Sequence, residues 1–140
     1  MRTCTRRLEF DAAHRVMRHE SKCSNLHGHR YSVEITCEAP RLDSVDRVVD
    51  FGEVKRLVGG WIDEHWDHGT ILNSADADLI ALCEKNGWKH YIMVARQEEP
   101  TAEAMAKEIF HIAMALLRPK GVAVAKVRLY ETPNGWADYQ

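Results

Sequence analysis

The sequence predicts an α+β domain: an antiparallel four-stranded sheet with two main helices packed on one face, in the order ββααββ. Three patterns predict it. Residues 5–14 and 27–38 alternate apolar and polar side chains at period two, as half-buried strands do. Residues 51–66 and 101–118 carry apolar stripes at helical spacing instead. A second strand pair, 122–131 and about 136–140, closes the chain. Strands that come in pairs around helices, rather than alternating with them, point to α+β with antiparallel pairing.

In the first strand Leu8, Phe10, Ala12 and His14 share one face, and Arg7, Glu9 and Asp11 the other. In the second, His27, His29, Tyr31, Val33, Ile35 and Cys37 face one way, and Arg30, Ser32, Glu34, Thr36 and Glu38 the other, until Pro40 ends the run. Phe51, Val54, Leu57, Val58, Trp61 and Ile62 form the stripe of the first helix. Gly59 and Gly60 weaken it, each by about 1 kcal/mol relative to alanine. A short helix is expected at 76–85 and an additional strand at 88–95. Thr101 is the expected N-cap of the second main helix, Glu103 favours its first turn, and Pro119 and Gly121 mark its exit. In the strand that follows, Ala125, Val127, Leu129 and Glu131 lie on one side. The two Asn-Gly-Trp triplets, 86–88 and 134–136, read as turns.

A chain of 140 residues suits one domain, 1–140. At that length about 68–70% of the unfolded surface is buried, so the domain needs no staples. The net charge of -2 gives nucleic acid no electrostatic footprint. No apolar run approaches the ~20 residues of a membrane span. The start, MRTCTRRLEF, lacks the apolar core of a signal peptide. A cytoplasmic protein is expected, with Cys4, Cys23, Cys37 and Cys83 reduced.

The stretch CSNLHGHRY, 23–31, concentrates chemistry. His27 and His29, two apart on a strand, point the same way about 7 Å apart. If the first two strands pair, His14 joins them. Three imidazoles with an open fourth position are the pattern of catalytic zinc; four closed ligands are the structural pattern. The set His14, His27 and His29 is therefore the candidate metal site. Ordinary half-buried histidines, and a closed knot with Cys23 as fourth ligand, are the alternatives. Cys23 adjoins Lys22, and nearby positive charge or metal lowers a thiol's pKa, so Cys23 is a candidate base or nucleophile. Asp67 beside His68 suits acid–base work, because a carboxylate orients an imidazole and raises its basicity. The pair reads equally as a histidine at a helix C-terminus with a solvated aspartate. Glu131 extends an apolar strand face, where a carboxylate is costly unless paired. It either emerges into solvent or receives two parallel hydrogen bonds from an amidine-like N–H pair. Cys37 and His65 read as packing; His19, His90 and His111 show no partner pattern. Arg15, Arg18 and Lys22 are expected to meet an anionic substrate tail, or else to line a solvated loop.

Six segments occur in order: FDAAH (10–14), C-x3-HGH-x-Y (23–31), VVDFGEVK (48–55), DHGTILN (67–73), PTAE (100–103) and LYET (129–132). Together they resemble the 6-pyruvoyl-tetrahydropterin synthase and 6-carboxy-tetrahydropterin synthase family over nearly the whole chain. The resemblance implies a tunnelling fold, in which subunit sheets join into barrels, and homohexamers built of two trimers with sites at subunit contacts. It implies one zinc per subunit on His14, His27 and His29. Cys23 matches the proton-abstracting cysteine, and His68 with Asp67 the partner that relays a proton. Glu131 matches the carboxylate that anchors the pterin ring and is sometimes counted in the relay. Thr101 and Glu103 match a motif near the pterin pocket. The implied substrate is 7,8-dihydroneopterin triphosphate. The short C-x3-HGH spacing resembles the carboxy branch, which releases acetaldehyde and triphosphate and leads to 7-deazaguanine and queuosine-type products. The pyruvoyl branch only eliminates triphosphate. The chain departs from the pattern at Trp66, where a leucine often stands, and in the long stretch between Asn73 and Pro100. Two other functions compete: a non-catalytic pterin-binding protein with structural zinc, and a Cys-His-Asp acyl hydrolase. The hydrolase lacks a recognisable nucleophile turn and leaves His14 and His29 unused.

Overall fold

β1 (Thr3–His14) and β2 (His27–Glu38) pair antiparallel along their whole length, with Thr3 opposite Glu38 and His14 opposite His27. They belong to a computed structural model that describes residues 1–140. The far edge of β2 pairs with β5 (Ala123–Thr132), and β5 pairs with β6 (Gly135–Tyr139), both antiparallel. These are the four expected strands.

The sheet is larger than the sequence suggested. It has six strands in the order β4-β3-β1-β2-β5-β6 and is mixed rather than antiparallel. β3 (Gly69–Leu72) runs parallel to the end of β1, with Ala12 opposite Gly69 and His14 opposite Ile71. β4 (His90–Ile92) runs parallel to β3 and is the core of the strand expected at 88–95. Parallel neighbours need a crossover, and α3 (Ala77–Asn86) supplies the one from β3 to β4.

α1 (Phe51–Val54), a π-helical turn (Lys55–Gly59) and α2 (Gly60–His65) follow without a break as one helix. The glycines fall where the helix widens. A Cβ at Gly59 would stand 3.4 Å from Leu8 Cδ2, at ordinary contact distance from β1. α4 (Ala102–Leu117) is capped by Thr101, whose Oγ1 accepts the Ala104 N–H at 3.2 Å. It leaves through a 3-10 turn, Arg118–Lys120, that ends at Gly121 with φ 72°.

The helices and one sheet face enclose a core of 25 buried residues. Phe10 stacks on Tyr31 with ring centroids 5.0 Å apart, and Trp66 tilts against Phe10 at 5.5 Å. Val54, Val58 and Ile62 from the first helix and Met105, Ile109 and Ala113 from α4 pack into the same cluster. Strand alternation continues this apolar face directly into His29, His27 and His14. The core therefore ends in three imidazoles. No helix is long and apolar enough to cross a membrane.

Candidate metal centre and proton-transfer groups

The β1–β2 register sets His14 opposite His27 and Ala12 opposite His29. The three rings close on one another with centroids 4.7, 5.1 and 4.8 Å apart. One ring nitrogen from each, together with a Glu131 carboxylate oxygen, fall within 4.8 Å of one another.

Backbone carbonyls orient two of the rings. His14 Nδ1 lies 2.7 Å from the Pro100 oxygen, and His27 Nδ1 lies 2.7 Å from the Asn25 oxygen. A carbonyl only accepts, so each Nδ1 carries a proton, and in the neutral ring Nε2 then keeps its lone pair. His14 is 1% exposed, and its Nε2 has no hydrogen-bond partner. His29 Nε2 is 2.9 Å from Glu131 Oε1 but lacks the alignment of a hydrogen bond. His14 Nε2 is 3.8 Å from the same oxygen. Burial lowers the pKa of His14 more than the Pro100 carbonyl and Glu131 raise it, and burial likewise outweighs Glu131 at His29. Both rings are thus neutral near pH 7, the form that binds metal. Buried nitrogen lone pairs without donors, converging beside a carboxylate, fit a divalent cation. Imidazole donors suit zinc, copper, iron and nickel.

Cys23 is not the fourth member of this group. It sits in a 3-10 turn, Lys22–Ser24, half-buried, with its carbonyl accepting the Val16 N–H at 2.9 Å. Glu131 takes the place that a closed knot would give to the cysteine.

Asp67 and His68 form a separate group with Asp11. His68 Nδ1 donates to Asp67 Oδ2 at 2.8 Å, and Asp67 Oδ1 accepts the Asp11 N–H at 3.0 Å. The His68 N–H donates to the Asp11 carbonyl at 2.7 Å. Asp67 is held below the usual carboxylate range: its burial is outweighed by the Asp11 N–H, His68 and Lys89. The His68 side chain stands mostly exposed in a cleft of about 710 Å³. Asp11, Ala13, Gly28 and Arg30, which alternation turns away from the histidine face, line that cleft, and His29 also reaches it. One chain therefore assembles His14, His27, His29 and Glu131, and separately orients His68, but does not bring Cys23 or His68 into the metal group.

Thr101 spends its hydroxyl on the helix cap, and Glu103 is exposed in the first turn. The site role at this motif that sequence reasoning missed belongs to Pro100, and it is a carbonyl, which no side-chain pattern signals. In the basic loop Arg15 pairs with buried Asp76, and Arg18 pairs through Nε with buried Glu99 while its side chain stays mostly exposed.

The profile of the family described as 6-pyruvoyl tetrahydropterin synthase matches residues 3–140. The chain is 43% identical over 133 residues to the 6-carboxy-5,6,7,8-tetrahydropterin synthase of Rickettsia bellii, covering 94% of each. It is 30% identical over 142 residues to the protein of that name in Haemophilus influenzae, covering 97% of this chain and 96% of that one. Its fold superposes on the 6-pyruvoyl tetrahydropterin synthase of Caenorhabditis elegans with TM-score 0.72 at 20% identity, covering 99% and 94% of the two chains. An uncharacterized protein from Wolinella succinogenes superposes with TM-score 0.82 at 21% identity, covering 99% and 97%. A profile match along almost the entire chain, on a fold whose core face ends in three converging imidazoles, leaves one assignment: the chain belongs to the 6-pyruvoyl tetrahydropterin synthase family of enzymes.

Proposed function

We propose that this chain is a zinc-dependent 6-carboxy-5,6,7,8-tetrahydropterin synthase. It converts 7,8-dihydroneopterin triphosphate and water to 6-carboxy-5,6,7,8-tetrahydropterin, acetaldehyde and triphosphate, at the start of 7-deazaguanine and queuosine-type synthesis in the cytoplasm. The observation that carries the reading is the pair of buried, unbonded Nε2 atoms of His14 and His29 beside Glu131. The names of relatives at 41–44% identity support the carboxy branch.

His14, His27 and His29 hold zinc through Nε2. Bound there, the metal supplies a Lewis acid that polarises hydroxyl and carbonyl groups and acidifies the neighbouring C–H bonds. The residues of the chain do the rest. Cys23, as thiolate, takes a proton from the substrate's side-chain carbon. His68, with Nδ1–H committed to Asp67, presents Nε2 to receive and return protons. Glu131 accepts the adjacent N–H groups of the pterin ring through its two oxygens. Thr101 acts by capping α4, which fixes Pro100 and through it His14; Glu103 belongs to the rim of the same pocket. Because one chain leaves His68 apart from the metal, the complete site forms where copies meet, in a homohexamer of two trimers.

Incubation of the protein with 7,8-dihydroneopterin triphosphate, with zinc and after chelation, tests this. Mass analysis of the pterin and an acetaldehyde assay should find the 6-carboxy product and acetaldehyde only with metal. A pterin that keeps its three-carbon side chain, with triphosphate but no acetaldehyde, assigns the pyruvoyl branch instead.

A further inference from the structure

The segment 74–99 carries a buried carboxylate near each end, and both turn toward the loop that joins β1 to β2. Asp76 is 1% exposed. Its Oδ2 accepts from Arg15 Nε at 2.6 Å, and its Oδ1 from Arg15 Nη2. Glu99 is 8% exposed. Its Oε2 accepts the Met17 N–H at 3.0 Å, and its Oε1 accepts the Arg18 N–H at 3.1 Å and Arg18 Nε at 3.0 Å. Residues 15, 17 and 18 are thus gripped from outside. Residue 16, between them, donates its N–H to the Cys23 carbonyl at 2.9 Å. The residue after Glu99 is Pro100, whose carbonyl orients His14. The same short stretch therefore registers both the metal-ligand ring and the loop carrying the cysteine.

The two ends of the segment are tied to each other. Gln97 N–H donates to Ser74 Oγ at 2.8 Å, and Asn73 Nδ2 to the Gln97 carbonyl at 3.4 Å. Asp76 also caps α3 through the Leu79 N–H at 3.3 Å. The clamp is hydrogen-bonded together on its own side and grips a loop with no regular structure beyond the 3-10 turn at Cys23. A basic loop free in solution would keep its arginines hydrated. Here two guanidiniums meet carboxylates that are almost wholly buried, and such charges are costly to leave unpaired.

We propose that Asp76 and Glu99 are positioning residues for Cys23: the clamp they form sets the distance and direction of the cysteine sulfur relative to the metal-bound substrate. This rests on the reading of Cys23 as the proton-abstracting group. Neither carboxylate touches substrate. Each acts through residues 15–18 and the single backbone bond from Val16 to Cys23.

The test uses the zinc-loaded protein and four readouts: zinc content, kcat, KM, and the rate at which iodoacetamide alkylates Cys23, followed by peptide mass. Glu99→Gln puts an amide NH2 against a backbone N–H and opens one side of the clamp. Zinc content should stay at the wild-type level. The kcat should fall roughly tenfold with KM within about threefold, the pattern of a misplaced catalytic group. Alkylation of Cys23 should quicken about fivefold as the loop opens locally, while buried Cys37 and Cys83 stay unreactive. Asp76→Asn should give the same pattern at lower amplitude, and it stands in should Glu99→Gln fail to fold. Unchanged kcat and alkylation in both variants, with Cys23→Ala inactive, overturn the proposal, as does loss of zinc in step with activity. Activity retained by Cys23→Ala overturns the reading of the cysteine itself, and the alkylation rate then decides alone whether the clamp holds the loop.

Discussion

Lys89 Nζ donates to the carbonyl of Asp63 at 2.7 Å and to that of Asp67 at 2.5 Å. The first is a last-turn carbonyl of α2 that the helix leaves unused. The second belongs to the peptide that leads into His68, whose φ of 60° lies in the left-handed region. For a residue with a Cβ this costs about 1–2 kcal/mol. The lysine, the Asp67 carboxylate and the Asp11 carbonyl together hold that turn. Gly69 makes room for it, since a Cβ there would stand 3.3 Å from Lys89 Cγ and 3.3 Å from the Trp66 oxygen.

Lys89→Met keeps the apolar stem and removes the donors. The His68 turn should then relax toward ordinary backbone, lowering kcat about tenfold with little change in zinc content. Lys89→Arg, which keeps a cation and several donors, should recover part of the loss. Steady-state kinetics on the three proteins, with metal analysis alongside, checks this; equal kcat in all three would show that the turn holds without the lysine.

His14→Ala and His29→Ala should each reduce bound zinc to below about a tenth of the wild-type content after gel filtration, because two imidazoles form a poor site. The apo-proteins should differ from each other. His14→Ala also strips the donor from the Pro100 carbonyl and leaves a cavity in a buried place. Its metal-free form should lose about 1–3 kcal/mol of stability. His29 donates no such bond, so its variant should lose less. Metal analysis and urea unfolding of the apo-proteins give both numbers.

Glu108 predicts a pH effect remote from the site. Its Oε1 accepts the Val94 N–H at 2.7 Å, while Oε2 is buried without a partner. Burial pushes its pKa up, more than the Val94 N–H and Tyr91 pull it down. The folded state therefore holds this proton more tightly than the unfolded chain. Stability from this group is complete below the ordinary glutamate pKa and is lost as pH rises through the folded value. Glu108→Gln keeps the acceptor for Val94 and removes the charge. Its urea midpoint at pH 8 should exceed that of the wild type by roughly 0.3–0.5 M, and the gain should vanish near pH 4.

What was legible in the sequence follows from these geometries. Period-two alternation is local, so it showed both β1 and β2 and put His14, His27 and His29 on the face that the structure buries. It also put Glu131 on that face, where the structure finds it beside two of the rings. β3 was invisible because four residues give no period and its partners are remote and parallel. Hence the four-stranded antiparallel expectation missed β3 and the parallel pairing that joins β4 to the sheet. The partners of the arginine loop were hidden for a related reason. Asp76 lies 61 positions from Arg15, and Glu99 lies 81 from Arg18, and ion pairs at such separations leave no mark in a window of sequence. Pro100 and Lys89 act on or through backbone carbonyls, which every residue has. The chemistry of the site was written in side chains, while much of its orientation is done by the main chain.

Glu131 faces two claims on one carboxylate, and a single substitution separates them. Its Oε1 stands 2.9 Å from His29 Nε2, close enough to serve as a fourth metal ligand. Its side chain is also 29% exposed, so it has room to turn toward a ring edge entering from solvent. Three neutral imidazoles suffice for zinc, and an open fourth position is what catalysis needs. A pterin edge with two adjacent N–H groups, by contrast, needs two acceptors side by side. Glu131→Gln replaces one acceptor by a donor that faces an N–H. The variant should retain zinc at the wild-type stoichiometry while KM for the pterin rises about a hundredfold, the size expected when paired charge-assisted hydrogen bonds are lost. Zinc lost in proportion to activity would instead assign the carboxylate to the metal, and the pterin would then need another anchor. Metal content and KM measured on the same preparation decide between the two.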